Sequence, residues 1–344
     1  MNFYSLGISH KTAPIDVREK FYLTPIEREL FLSEVKSDPR VAEAFVLSTC
    51  NRTEIYANTI DQDLPLSYWL DRLGKVKKIS ATDFESHFYA YRNEEVVRHL
   101  FELSTGLDSL VVGEKQILGQ LKDAVEMARG KEMFSNVFNI LTNYALRTGK
   151  KAQTETQICY GGSSVSWAAV AKAEEVLGDL KGLTTLVIGA GEMGKLSVGQ
   201  IAGKGFGKMF LMNRTHCMAQ GLAEKHGGEA VPFSDIKEIL SQVDLCICAA
   251  GAPHYIIEKT TVEKCMAGRS ARKIVFVDIS MPRNIDPKVS EVPGIELYEI
   301  DDLQAVVGRT MSIRHQAIED VRQIIHQKIG EFYQQLNKRE EVLS

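Results

Sequence analysis

Thr184-Thr185-Leu186-Val187-Ile188-Gly189-Ala190-Gly191-Glu192-Met193-Gly194 joins five strand-type residues to a Gly-x-Gly-x-x-Gly run. In such a run the first glycine makes a tight turn and the second lets the backbone approach a pyrophosphate. The third lets helix pack on strand, and the phosphates sit at the helix N-terminus. Six-residue glycine patterns occur by chance, but this one follows a strand and opens a helix. It therefore predicts a dinucleotide site at Gly189, Ala190, Gly191, Glu192, Met193 and Gly194. Strand and helix patterns alternate from there to Asp301, as in a doubly wound parallel sheet. At the end of the next strand, Phe210-Leu211-Met212, stand Asn213, Arg214 and Thr215. An acid there would hold the ribose 2′-hydroxyl of NAD, whereas an Arg accommodates a 2′-phosphate, so the trio points to NADPH.

Upstream the periods differ. Phe3-Tyr4-Ser5-Leu6-Gly7-Ile8 reads as a strand, and Thr24-Pro25-Ile26-Glu27 as a helix start with a Thr N-cap and Pro at the first position. Ala44-Phe45-Val46-Leu47 and Glu54-Ile55-Tyr56-Ala57 read as strands. This β-α-β-β order predicts a ferredoxin-like α+β domain. From Asn93 to about Lys151 the apolar spacing is helical, a helical subdomain. Beyond Asp301, the residues Ile318, Val321, Ile325, Ile329, Phe332 and Leu336 step by three and four along one long helix. A single stripe on so long a helix calls for a partner outside the first two domains. The expected organisation is 1–155 as an α+β domain, 156–303 as a Rossmann-type α/β domain, and 304–344 as a long C-terminal helix.

With 344 residues, 44% hydrophobic and 25% charged, the chain has the composition of a globular protein of two or three domains. No stretch approaches the roughly 20 apolar residues of a membrane span. The first residues lack an export signal, so the expectation is a cytoplasmic protein. The cysteines at 50, 159, 217, 246, 248 and 265 form no Cys-x-x-Cys pair and no zinc-type cluster, so they read as reduced thiols and no metal is expected. A net charge of −4 gives no general attraction to nucleic acid; any RNA contact must come from a local basic surface.

Cys50 ends a strand within Ser48-Thr49-Cys50-Asn51-Arg52. A nearby cation such as Arg52 favours a thiolate. From chemistry alone, however, a partly buried structural thiol stands ahead of a reactive one. His99, on the helix Glu94–Ser104 among apolar neighbours, reads in isolation as a satisfied core histidine. The run Gly106 to Gln120 says more, because two acids, two glutamines, a serine and a lysine interrupt an apolar region and suit a pocket lining.

Ser48-Thr49-Cys50-Asn51-Arg52-Thr53-Glu54-Ile55-Tyr56 resembles the signature of the glutamyl-tRNA reductase family. So do Arg98-His99-Leu100, Gly106-Leu107-Asp108-Ser109 and Gly113-Glu114-Lys115-Gln116-Ile117-Leu118-Gly119-Gln120. Gly7-Ile8-Ser9-His10-Lys11-Thr12-Ala13-Pro14 with Arg18-Glu19 is similar to the family's N-terminal motif, and Asp278-Ile279-Ser280-Met281-Pro282-Arg283-Asn284 to its nicotinamide-side loop.

The resemblance implies an NADPH-dependent oxidoreductase of tetrapyrrole (porphyrin, haem) biosynthesis that reduces glutamyl-tRNA(Glu) to glutamate-1-semialdehyde through a thioester on Cys50. It makes 1–155 the catalytic, glutamyl-tRNA-binding domain. Thr49, Asn51, Arg52, Ser109, Glu114, Lys115, Gln116 and Gln120 are its expected glutamyl pocket, and His99 a second residue needed for activity. Lys115 replaces the family's usual Pro and is expected to contribute backbone only. Arg52 is expected to hold the substrate carboxylate. The resemblance also implies a homodimer and hand-over to glutamate-1-semialdehyde aminomutase, although the family's helical dimerisation domain is expected to be short or absent here. Two rival readings are a shikimate-dehydrogenase-like NADP reductase and a non-catalytic tRNA-binding relative.

Overall fold

A computed structural model describes residues 2–60, 64–159, 164–267, 269, 273–306 and 315–343, with side chains to 338. The chain divides into two compact units, Met1–Ser163 with Thr310–Ser344, and Ser164–Arg309.

The first unit opens with β1 (Asn2–Ser9), α1 (Ile15–Phe21), α2 (Pro25–Lys36), β2 (Val41–Ser48), β3 (Arg52–Thr59), α3 (Leu66–Lys77) and β4 (Tyr89–Arg92). The strands form one sheet in the order β2-β3-β1-β4, every neighbouring pair antiparallel. That is the ferredoxin-like arrangement the sequence predicts. The Thr24 start is a full capping box: the Glu27 N–H donates to Thr24 Oγ1 at 3.3 Å, and the Thr24 N–H to Glu27 Oε2 at 2.8 Å. Phe21, Phe31, Phe45, Tyr56 and Trp69 are fully buried, and Phe45 stacks on Tyr56 with centroids 4.5 Å apart. Aromatic contacts of this kind set the register of the strands beneath them.

Three helices follow in the same unit: α4 (Glu94–Ser104), α5 (Gln116–Gly130) and α6 (Asn136–Glu155). The polar run before Gln116 is a loop rather than part of a helix. The cause is local: Gly106 and Gly113 take φ of +76° and +83°, which other residues rarely adopt. A Cβ on Gly113 would also meet the Ile158 carbonyl oxygen at 2.1 Å.

The long helix, His315–Leu343, corrects one expectation. Its stripe does not need a partner outside the first two domains. Ala317, Val321, Ile325, Phe332 and Leu336 are buried in the core of the first unit, and Phe332 lies 6.4 Å from Phe101 of α4 and 6.1 Å from Tyr144 of α6. An amphipathic stripe shows that a face is covered but not by what, and here the helical subdomain covers it.

In the second unit, α7 (Val165–Leu177) leads into β5 (Thr184–Ile188), α8 (Glu192–Lys204), β6 (Lys208–Met212), α9 (His216–His226) and β7 (Glu229–Ala230). Then come α10 (Ile236–Leu240), β8 (Leu245–Cys248), α11 (Lys259–Ala267), β9 (Ile274–Asp278) and β10 (Ile295–Glu299). The six strands are parallel in the order β10-β9-β8-β5-β6-β7. The order reverses between β5 and β8, which opens a crevice at their carboxyl ends. Cys246 and Cys248 are buried core residues of β8. Among the described residues no helix is long and apolar enough to cross a membrane.

Candidate active site

Cys50 lies in the three-residue turn between β2 and β3. The Thr49 N–H donates to the Arg52 carbonyl at 2.8 Å and the Asn51 N–H to Thr49 Oγ1 at 3.2 Å. The loop after β1 closes on this turn through the His10 N–H, which donates to the Asn51 carbonyl at 2.9 Å. Burial pushes the Cys50 thiol up to about 12; the Glu114 carboxylate adds to the rise, while Arg18 and Arg52 oppose it. The unliganded thiol is therefore protonated at neutral pH. Asn51 Oδ1, on the same turn, and both amide atoms of Gln116, two residues beyond Glu114, are buried with no hydrogen-bond partner among the described residues. Buried polar atoms are rarely left so, and a ligand rich in donors and acceptors would satisfy them.

The same turn carries a buried ionic network. Arg52, Glu54 and Tyr56 alternate onto one face of β3. Arg52 Nη1 donates to Glu54 Oε1 at 2.7 Å and to Asp108 Oδ2 at 2.6 Å, and its Nη2 donates to the Asp108 carbonyl. The hydroxyls of Tyr56, at 2.5 Å, and Tyr89 also donate to Glu54. His99 Nε2 lies 2.9 Å from Glu54 Oε1, and Lys11 pairs with Asp108. Tyr89 reaches Glu54 because Gly7 lies opposite both in the sheet. A Cβ on Gly7 would strike the tyrosine ring at 2.3 Å. Burial raises the Glu54 pKa, but the charges of His99 and Arg52 outweigh it and hold the carboxyl well below its ordinary range. Glu54, His99 and Asp108 converge within 4.8 Å, as a metal-binding set would. The Arg52 guanidinium already donates into both acids, and this suits the group to an organic substrate better than to a metal ion.

In the second unit the glycine loop is shaped for close contact. Gly189 has φ of +105°, and a Cβ there would meet the Ala249 carbonyl oxygen at 2.4 Å; a Cβ on Gly194 would meet Gly189 O at 1.9 Å. At Gly191 nothing lies within 4 Å of a would-be Cβ, so space is open at the start of α8. Asn213 Oδ1 accepts from the Ala190 N–H at 3.1 Å and pins the loop to the end of β6. Gly189, Ala190, Gly191, Asn213, Arg214 and Thr215 line one side of a cleft of about 330 Å³, and residues 249–252 the other. Glu192, Met193 and Gly194 form the first turn of α8 rather than the lining. Asp278, buried at the end of β9, accepts from the N–H groups of Ser280, Asn284 and Ile285 at 3.0, 2.8 and 2.8 Å. Burial raises its pKa to about 6 against the pull of those donors. Asn284 in turn holds the 249–254 segment through Ala252 and His254. The loop, the crevice and the open helix start together fit a dinucleotide.

Comparison with known proteins places both halves. Residues 6–156 match the family described as glutamyl-tRNAGlu reductase, N-terminal domain, and residues 171–306 match shikimate / quinate 5-dehydrogenase. The chain is 38% identical to glutamyl-tRNA reductase of Thermodesulfovibrio yellowstonii, over 99% of its own length and 81% of that protein. It is 35% identical to the Bacillus subtilis enzyme, over 98% and 74%. The solved glutamyl-tRNA reductase from Methanopyrus kandleri superposes with a TM-score of 0.53 at 30% identity, over 98% of this chain and 81% of that one. The chain belongs to the glutamyl-tRNA reductase family.

This family of oxidoreductases performs the first step of tetrapyrrole synthesis, with glutamyl-tRNA as substrate. The second unit of this family member is a pyridine-nucleotide domain of the shikimate-dehydrogenase kind. The shikimate match stops at that unit, so the rival reading describes a domain and not the protein.

Thr49, Asn51, Arg52, Ser109, Glu114, Gln116 and His99 are all buried, while Gln120, one helical turn past Gln116, is half-buried. Lys115 is exposed. Sequence reasoning left out of the pocket Arg18 and His10, which stood inside the N-terminal motif, and Asp108, which stood inside the polar run. Tyr89 carried no signal, since a lone aromatic in a short element looks like core.

Proposed function

We propose that this reductase draws glutamate from its tRNA onto Cys50 and reduces the thioester with NADPH. The observation that carries the reading is the turn itself: a thiol next to the buried, unpartnered Oδ1 of Asn51 and within reach of the charges of Glu114, Arg18 and Arg52. The Cys50 sulfur attacks the ester carbonyl carbon, the bond to the ribose oxygen breaks, and the thiol proton is passed on to that oxygen. A nicotinamide bound in the cleft would supply hydride to the thioester carbon, with the carbon–sulfur bond breaking to give the aldehyde and the Cys50 sulfur taking back a proton.

Thr49, Asn51, Ser109, Gln116 and Gln120 hold the glutamyl group, with Lys115 contributing main chain. Arg52 spends three of its five N–H donors on Glu54 and Asp108, which fixes the guanidinium and leaves two for the substrate carboxylate. His99, at 2.9 Å from Glu54, steadies that arginine through the shared carboxylate. Glu114 receives the glutamyl ammonium, whose positive charge offsets the carboxylate's addition to the rise that burial gives the thiol pKa. Arg214 at the cleft rim, with no acid beside it in Asn213-Arg214-Thr215, supports the phosphorylated cofactor. A homodimer, and direct hand-over of the reactive α-amino aldehyde to an aminomutase, belong to the same reading.

The test is to mix the protein with labelled glutamyl-tRNA without nucleotide and trap the acyl-enzyme. The wild type accumulates one bound glutamate per site. Cys50→Ser accumulates none yet still binds NADPH; a normal burst from that variant would sink the scheme.

A further inference from the structure

Helices α5 and α6 are pinned together at two points. Leu118 lies against Gly149, where a Cβ would meet Leu118 Cδ2 at 2.5 Å and the Ser104 carbonyl oxygen at 2.2 Å. At the other end Arg129 Nη2 donates to Asn139 Oδ1 at 2.7 Å. The pins run the helices antiparallel and fix one shared face toward solvent. Lys115 and Lys122 lie about one turn either side of Leu118, and Arg147 and Lys150 lie about one turn apart on the exposed side of α6. All four are exposed, and among the described residues none of their side chains has a hydrogen-bond or ion-pair partner.

Several other cations of this unit are paired. Lys36 pairs with Glu132 at 2.5 Å, Lys75 with Glu34 at 2.8 Å, and Lys131 with Glu29 at 2.8 Å. On the strip's own helices, Arg129 is neutralised by Glu126 at 2.8 Å and Lys151 lies 3.6 Å from Glu155. Two packed helices thus gather four unpaired charges in a chain whose net charge is −4. Seven residues of helix place Lys115 and Lys122 about 10 Å apart, and packed helix axes lie about 8–10 Å apart. Between the two lysines Gly119 is exposed with nothing within 4 Å of a would-be Cβ, so a bulky chain can lie close. Lys115 also separates Glu114, whose charge reaches the thiol, from the buried Gln116, so the strip begins beside the thiol site.

We propose that this α5–α6 strip binds the phosphate backbone of the tRNA acceptor arm while its glutamyl end enters the pocket. The inference rests on charged tRNA as the substrate of the thiol site. RNA is favoured over an acidic protein because the strip offers bare cations and no apolar anchor, which is how phosphates are held.

The test uses the full chain with Lys122, Arg147 and Lys150 all changed to Gln, and measures binding of uncharged tRNA(Glu) against salt, together with steady-state kinetics. Each phosphate that is no longer neutralised takes roughly 0.7–0.9 off the slope of log affinity against log salt, so the slope should shrink by about 2–3. KM for glutamyl-tRNA should rise about tenfold or more at 0.1 M salt while kcat at saturation holds. The charge-preserving set Lys122→Arg, Arg147→Lys and Lys150→Arg should restore both. An unchanged slope and KM, or a fall in kcat at constant KM, overturns the proposal. Binding of uncharged tRNA does not involve the thiol, so failure of the Cys50 scheme would leave this result standing, and the reverse.

Discussion

Arg52 Nη1 and Glu54 Oε1 lie 2.7 Å apart with side chains only 2% and 1% exposed. A pair so far from water is held by mutual charge, and removing one partner strands the other. Glu54→Ala leaves Arg52 paired only with Asp108 and takes the acceptor from His99, Tyr56 and Tyr89. Breaking such a pair costs roughly 3–5 kcal/mol. Urea unfolding should show that loss, with Glu54→Gln milder; a drop of less than about 1 kcal/mol for the alanine variant would mean that Asp108 alone satisfies the arginine.

Glu114 tunes the thiol. Burial is the largest cause of the raised Cys50 pKa, and Glu114 the next. Glu114→Gln should lower it without bringing it into the neutral range. Alkylation of Cys50 by iodoacetamide at pH 8 should quicken, about tenfold for each pKa unit removed. Acyl transfer from glutamyl-tRNA should slow in the same variant, because the ammonium loses its counter-charge. Alkylation at the wild-type rate would place Glu114 outside the thiol's electrostatic reach.

His10 gives the first unit an acid limit. Burial, and then the charge of Arg52, lower its pKa from 6.5 to about 4, and its Nδ1 is buried with no hydrogen-bond partner among the described residues. Because the folded value lies below the unfolded one, the unfolded chain takes up the proton first. The stability is thus full above about pH 6.5 and is lost as pH falls toward 4, by up to about 3 kcal/mol. Comparing urea midpoints at pH 7 and 4.5 for wild type and His10→Gln checks this: the variant should show the shallower loss, and equal losses would exonerate His10.

What could be read in advance was what local rules govern. The Thr24 capping box, the alternation at Glu54–Ala57 and the glycine loop after Ile188 each depend on neighbours in sequence, and each was legible. The Glu54 network was not, because it needs strand register: Gly7 must face both Glu54 and Tyr89 before the tyrosine can reach the carboxylate. Arg52, two residues from Cys50, suggested a lowered thiol pKa. The fold instead spends that arginine on Glu54 and Asp108 and brings Glu114 near the sulfur from sixty-four residues away. The partner of the long helix was equally hidden, since a stripe such as Val321-Ile325-Phe332 shows only that something covers it.

Arg214 should decide between the two nicotinamide cofactors. It lies exposed at the rim of the cleft whose floor is Gly189 to Gly191, and Asn213 beside it is occupied in holding that loop. A cation in this position bonds a 2′-phosphate and does nothing for a ribose hydroxyl. One hydrogen bond to a charged group is worth about 1.5–3 kcal/mol, or roughly ten- to a hundredfold in affinity, with screening favouring the lower figure at an exposed site. Arg214→Ala should therefore raise KM for NADPH by about tenfold and leave that for NADH nearly unchanged. The contrast should shrink as salt is raised. A parallel loss for both cofactors would assign Arg214 to the shape of the loop instead of to the phosphate.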